Sequence, residues 1–129
     1  MNEILTEHDV NQYSPLTLAF YGDSVYERLT RRHIVLSANM PPSKLHEIKV
    51  SKVCASFQSA ALERIMPLLD EKEISVVKRG RNATGNTVPK SSGAVEYRRA
   101  TGLEALFGYL DLLGRTDRLD ELFTLIISE

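Results

Sequence analysis

Cysteine is almost missing from this 129-residue chain: Cys54 stands alone. No disulfide can form within the chain. That suits a reducing compartment, and a cytoplasmic location is expected. No stretch approaches the roughly 20 apolar residues that span a bilayer, so no membrane partner is expected. The opening MNEILTEHDV lacks a basic region followed by an apolar run, so no secretory signal is expected either. Zinc-like ligand spacing is absent, because neither His8, His33 nor His46 pairs with Cys54 in such a pattern. The serines form no nucleophile elbow, and Gly80 and Gly85 form no phosphate loop. Strand signatures are missing as well.

An excess of charge of either sign is the last thing lacking, since the net charge is −1. The balance hides an asymmetry. Residues 72 to 99 hold Lys72, Lys78, Arg79, Arg81, Lys90, Arg98 and Arg99 against Glu73 and Glu96. This window is net +5, and the rest of the chain is −6. A basic segment on an acidic body is a candidate footprint for a polyanion. The alternative is a solvated helix face with basic flanks.

What is present is helical periodicity. Ser14-Pro15 reads as a cap and first turn, and Leu18, Tyr21, Val25 and Leu29 follow at helical spacing, predicting a helix over about 15–36. Asn39-Met40-Pro41-Pro42 ends it. Ser43 opens a second long helix, over about 43–66, with the stripe Leu45, Ile48, Val53, Phe57, Ala61 and Ile65. Asp70 and Glu73 have capping-box spacing and open a third, over about 70–82. Two more are predicted over about 93–113 and 117–127. The expectation is an all-α fold in a single domain over residues 1–129, with a loosely held N-terminal arm at 1–13 and a flexible loop at 84–92.

Two carboxylates sit where a helical core has no use for them. Asp23 follows Gly22 in Phe20-Tyr21-Gly22-Asp23-Ser24-Val25. Glycine weakens a helix by about 1 kcal/mol relative to alanine, and aspartate is a poor helix former. Glu104 lies in Thr101-Gly102-Leu103-Glu104-Ala105-Leu106-Phe107-Gly108, among small and apolar neighbours. A carboxylate in such surroundings is costly unless it is paired or binds a cation. If the two helices cross, Asp23 and Glu104 face one another, and an all-oxygen site suits Mg²⁺. The alternative is that both lie at the solvent edges of their helices. Tyr21, Tyr26, Tyr97 and Tyr109 read as core or interface residues rather than base-stacking platforms.

The stretch from Phe20 to Val25 closely resembles the signature of the ribonuclease III endonuclease domain, and that from Thr101 to Gly108 resembles its second acidic motif. Lys78-Arg79-Gly80-Arg81-Asn82-Ala83, then Val88-Pro89-Lys90, resembles the Mini-ribonuclease III subfamily. So do Leu45-His46 and Glu96-Tyr97-Arg98. The likeness covers roughly residues 14–123, and the ordered set is specific. It implies a ribonuclease III-like helical bundle that forms a homodimer, with two catalytic centres in one RNA-binding valley. It implies Mg²⁺-dependent hydrolysis of both strands of double-stranded RNA, leaving 5′-phosphate and 3′-hydroxyl ends.

By position, Asp23 and Glu104 match the two acids most central to metal binding and catalysis. The family signature has further acids where this chain has Leu16, Ala19 and Thr101. The usual C-terminal double-stranded-RNA-binding domain is expected to be absent. Lys78, Arg79, Arg81 and Lys90 are therefore the candidate RNA-binding residues. The expected substrate is a precursor of large-subunit ribosomal RNA, with a ribosomal protein as a candidate partner. The competing expectations are a non-catalytic double-stranded-RNA- or ribosome-binding helical protein on the same scaffold, and a protein-binding helical module whose basic segment meets an acidic partner. Phe20 and Tyr21 are candidates for the dimer interface or for ordinary core.

Overall fold

Ser14 caps the first long helix: its hydroxyl accepts the Thr17 amide at 3.1 Å, and Pro15 fills the first turn. The computed structural model describes residues 3–83 and 93–128. The expected loop at 84–92, with Lys90, lies outside the described residues. Among the described residues seven α-helices run in order: α1 (Glu7–Asn11), α2 (Pro15–Ser37), α3 (Pro42–Val53), α4 (Ala55–Ile65), α5 (Glu71–Asn82), α6 (Ala94–Leu112) and α7 (Thr116–Ile127). A single 3₁₀ turn, Met66–Leu68, links α4 to α5. The described residues contain no strand, and the fold is all-α as expected. Among them no helix is long and apolar enough to cross a membrane.

The Asp70–Glu73 box forms at the start of α5: Asp70 accepts the Glu73 amide at 2.8 Å and Glu73 accepts the Asp70 amide at 3.0 Å. Glu73 is fully buried, and Arg118 of α7 donates to both its oxygens at 2.8 Å. A buried carboxylate with two guanidinium bonds and a cap bond has its acceptor sites satisfied, so α7 and α5 are locked together.

Two expectations are corrected. The single helix over 43–66 is two helices, because Cys54 adopts extended backbone (φ −69, ψ 156). No proline or glycine signals this break. The Tyr26 hydroxyl donates to the Lys52 carbonyl at 2.9 Å and so satisfies an acceptor that a continuous helix would have bonded internally. The arm at 1–13 is not loosely held over its second half. Thr6 and Asp9 form a capping box, Val10 is fully buried, and the Leu5 amide donates to the Leu112 carbonyl at 2.9 Å. The signal was Thr6-Glu7-His8-Asp9, a capping pattern in a stretch otherwise too polar to suggest packing.

Helix α6 is the axis of the bundle. It packs against α2, α4, α5 and α7. From Ala100 to Leu110 every residue but Glu104 is buried, so this helix is apolar on nearly all sides. Helix α2 crosses it backbone against backbone. A Cβ placed on Gly22 would lie 1.7 Å from the Glu104 carbonyl oxygen, and one on Gly108 would lie 2.2 Å from that of Leu18. Only hydrogen fits at either position.

Gly22→Ala should therefore destabilise the protein by at least about 2 kcal/mol, since the obstruction is backbone and cannot swing aside. Gly93→Ala, whose new Cβ meets only the Glu96 side chain at 3.1 Å, should cost no more than about 1 kcal/mol. Thermal unfolding of the two variants checks the ranking.

Candidate active site

The crossing of α2 and α6 sets the site. Because Gly22 touches the backbone of Glu104, the next residue, Asp23, is carried to the same turn. The Asp23 side chain is exposed and that of Glu104 is half-buried. Burial, the negative charge of Asp23 and a hydrogen bond between the two carboxyls push Glu104 up to about 8. The amide of Gln58, from α4, acts the other way and favours the charged form. Glu104 therefore keeps its proton at neutral pH unless a cation takes its place.

The positions where acids are missing have other occupations. Ala19 is buried in the α2 core. Thr101, one turn before Glu104, is buried, and its hydroxyl donates to the Tyr97 carbonyl at 3.0 Å. Leu16 is 45% exposed. Among the described residues no group of three or more His, Cys, Asp or Glu side chains could hold a metal ion. The donor set that meets is two carboxylates. Mg²⁺ keeps several waters and is bound through one or two protein carboxylates plus substrate phosphate, so two suffice for it.

Two residues of the site escaped the sequence reading. Gln58 is 2% exposed, and its Nε2 completes no hydrogen bond although it lies beside the Glu104 carboxyl. Tyr26, read as core, is core, but it also senses the site. Burial first, then the charges of Cys54 and Glu104, push its hydroxyl well above the ordinary tyrosine range, so it stays a donor. No sequence signal marked Gln58. It comes to α6 because the chain breaks at Cys54, and that break is not written in local propensity.

The basic segment does not join the acidic pair. Lys78 and Arg79 are exposed and Arg81 is half-exposed at the end of α5. That helix meets α6 at Gly102 and Ala105, where a Cβ on Gly80 would lie 2.9 Å from the Ala105 Cβ. Gly102 and Ala105 lie about 200° and about 100° around α6 from Glu104. Lys78 and Arg81 share one face of α5 by their three-residue spacing. Arg79 lines a separate groove with Glu7, Asn11, Lys72 and Tyr109. Elsewhere in the basic window, Lys72 pairs with Glu7 at 2.8 Å and Arg99 with Glu63 at 3.7 Å. Phe20 is 83% exposed, which removes it from the core, and Tyr21 donates from the surface to Asp111.

The fold and site together are those of an all-helical bundle with an acidic pair at a glycine-mediated crossing. The model of the ribonuclease III domain matches residues 16–114. A Mini-ribonuclease 3 of Thermoanaerobacter sp. (strain X514) is 45% identical over 126 residues, covering 98% of this chain and 89% of its own. One from Clostridium tetani is 42% identical over 130 residues, covering 99% and 85%. The solved structure of protein FN1578 from Fusobacterium nucleatum superposes with a TM-score of 0.83 at 33% identity, covering 92% of this chain and 95% of that one. The chain belongs to the ribonuclease III family, in its Mini-ribonuclease III branch. That family supports endoribonuclease activity, a hydrolase chemistry.

The raised Glu104 has a consequence for stability. An acid whose folded pKa, about 8, lies above its ordinary 4.5 binds its proton more tightly when folded. Its contribution is full below about 4.5 and is lost as pH rises through about 8. In chelator, the wild-type unfolding temperature should fall across that range. Glu104→Gln should flatten the fall and be the more stable protein at the alkaline end, by roughly 1–3 kcal/mol. Parallel wild-type and variant curves would rule out the raised proton affinity of Glu104.

Proposed function

We propose that this protein cuts double-stranded RNA by Mg²⁺-dependent phosphodiester hydrolysis, as a homodimer, in maturing a precursor of large-subunit ribosomal RNA. One observation carries the reading: the Asp23 and Glu104 carboxyls, 81 positions apart in the chain, meet where α2 crosses α6. That placement is costly to the apo protein and useful to a cation. Asp23 and Glu104 are the residues that would hold Mg²⁺. When bound, such an ion supplies Lewis-acid stabilisation of phosphoryl charge and acidifies water.

The chain's own residues do the rest. Asp23 presents an exposed carboxylate to the substrate side. Glu104 gives up its proton when a cation arrives, since a coordinating carboxylate must be ionised. The apolar body of α6 around Glu104 keeps the inner side of the site dry, which strengthens each electrostatic contact there. Lys78, Arg79, Arg81 and Lys90 are assigned to the phosphates of the duplex. Several spaced cations suit a long ligand, because duplex RNA is gripped by shape and backbone at several places; a dedicated domain spans about 16 base pairs. The exposed apolar Leu16 and Phe20, one turn apart on α2, support a two-fold interface next to the site. A ribosomal protein remains a candidate partner and the cytoplasm the assigned location.

Three experiments test this. Asp23→Asn should lower cleavage of duplex RNA by at least about 100-fold, the scale of losing one preorganised electrostatic group. The variant should still fold and still retard the duplex in a gel. Normal turnover would remove Asp23 from the reaction. A wild-type protein that binds duplex but never cuts it with Mg²⁺ would instead be the non-catalytic binder on this scaffold.

Replacing both Lys78 and Arg81 with alanine should weaken duplex binding and reduce the salt slope by about 2, and Arg79→Ala should reduce it by about 1. An unchanged slope would return these side chains to a merely solvated face.

A further inference from the structure

Resting on the nuclease reading above, we propose that Gln58 is the positioning residue for Glu104: its buried amide donates Nε2–H to one carboxylate oxygen and so fixes which oxygen is left for the cation. Gln58 is 2% exposed on α4, and its Nε2 has no hydrogen-bond partner. A buried donor without a partner is a standing cost, and each such group in a native fold needs an explanation. Other buried polar side chains have theirs. Thr30 bonds the Tyr26 carbonyl at 2.9 Å, Thr101 bonds that of Tyr97 at 3.0 Å, and Glu73 is held by Arg118. Gln58 is left waiting beside Glu104.

The state that satisfies it is the one with a cation in place. Glu104 is then a carboxylate, which only accepts hydrogen bonds and has two oxygens to satisfy. One oxygen serves the ion. The other is left to accept, and Gln58, buried on the helix packed against α6, is the donor at hand. The break at Cys54 has a purpose in this light. It ends α3 on Tyr26 and lets α4 start afresh at Ala55, with Gln58 on its inner face. In a site with two carboxylates rather than the family's fuller set, orientation of each one carries more of the affinity.

The test compares the full-length wild type with Gln58→Leu, and with Gln58→Met should the leucine variant fail to fold. Mn²⁺ binding to the RNA-free protein is followed by the loss of the free ion's paramagnetic resonance signal. Removing an outer-shell partner of a ligand typically costs 10–100-fold in metal affinity, and a loss of that size is expected. The metal-free unfolding temperature should not fall, because the apo protein loses only an unpartnered amide. At saturating Mg²⁺, kcat should drop with KM for the duplex unchanged. Equal Mn²⁺ affinity in wild type and variant overturns the proposal. So does a variant whose weaker binding comes with a lowered metal-free unfolding temperature, since that is a packing defect. If the wild type itself neither binds Mn²⁺ nor cuts duplex, the nuclease reading falls first, and this one with it.

Discussion

Everything in this molecule is arranged around the contact of α2 with α6 at Gly22 and Gly108. Side chains keep most crossing helices 8–10 Å apart, but here glycine on both partners removes the spacer. The carbonyl of Glu104 sits where a Cβ of residue 22 would be. That closeness fixes the relative turn and height of the two helices, and so the meeting of the carboxyls beside it. The apolar shell of Leu103, Leu106, Phe107 and Leu110 holds α6 in place, so that a strained electrostatic arrangement can persist on one of its faces. The core contributes the stability, and the acidic pair uses part of it.

Much of this was legible beforehand, for a physical reason. Helix starts are local: Ser14 and the Asp70–Glu73 pair cap as their types require, and the stripes of α2 and α7 follow from a 3.6-residue period. Asp23 and Glu104 were legible because each violates the local rules of its helix beside a glycine, and violations that a fold keeps tend to be functional. The break at Cys54 was not legible, since the hydroxyl that takes up the Lys52 carbonyl beside it comes from Tyr26, 26 residues before Lys52 and unseen by any local window. Gln58 followed it into obscurity. A glutamine on a helix reads as a solvated residue until tertiary structure buries it.

The basic segment teaches the opposite lesson. Read along the chain, seven cations in a short window look like one patch. Folding distributes them. Lys72 and Arg99 meet acids from α1 and α4, Arg79 turns toward the α1 groove, and Lys78 and Arg81 keep a face of their own. Proximity in sequence is therefore a poor guide to a shared surface on a helix, where neighbours point 100° apart. What survives is a set of separate cationic points along α5 rather than one patch. A rigid polyanion that is engaged at several places along its length tolerates such spacing better than a small ligand would.

The chain has Ala19 and Thr101 where the family's fuller acidic set stands, and the structure shows what replaced them. Ala19 is sealed in the core, and the Thr101 hydroxyl is spent on its own helix. Neither position is an open gap that a water or a second ion could fill without repacking. Fewer carboxylates mean less repulsion in the metal-free protein, and hence a smaller cost of holding the site ready. They also mean fewer fixed ligands, so affinity must come from how well the remaining two are held. Asp23 is exposed and held on one side by the crossing; Glu104 is half-buried and flanked by an amide. A two-acid site thus transfers part of the binding task from ligand number to ligand orientation. In this fold, orientation is set where α2, α4 and α6 come together.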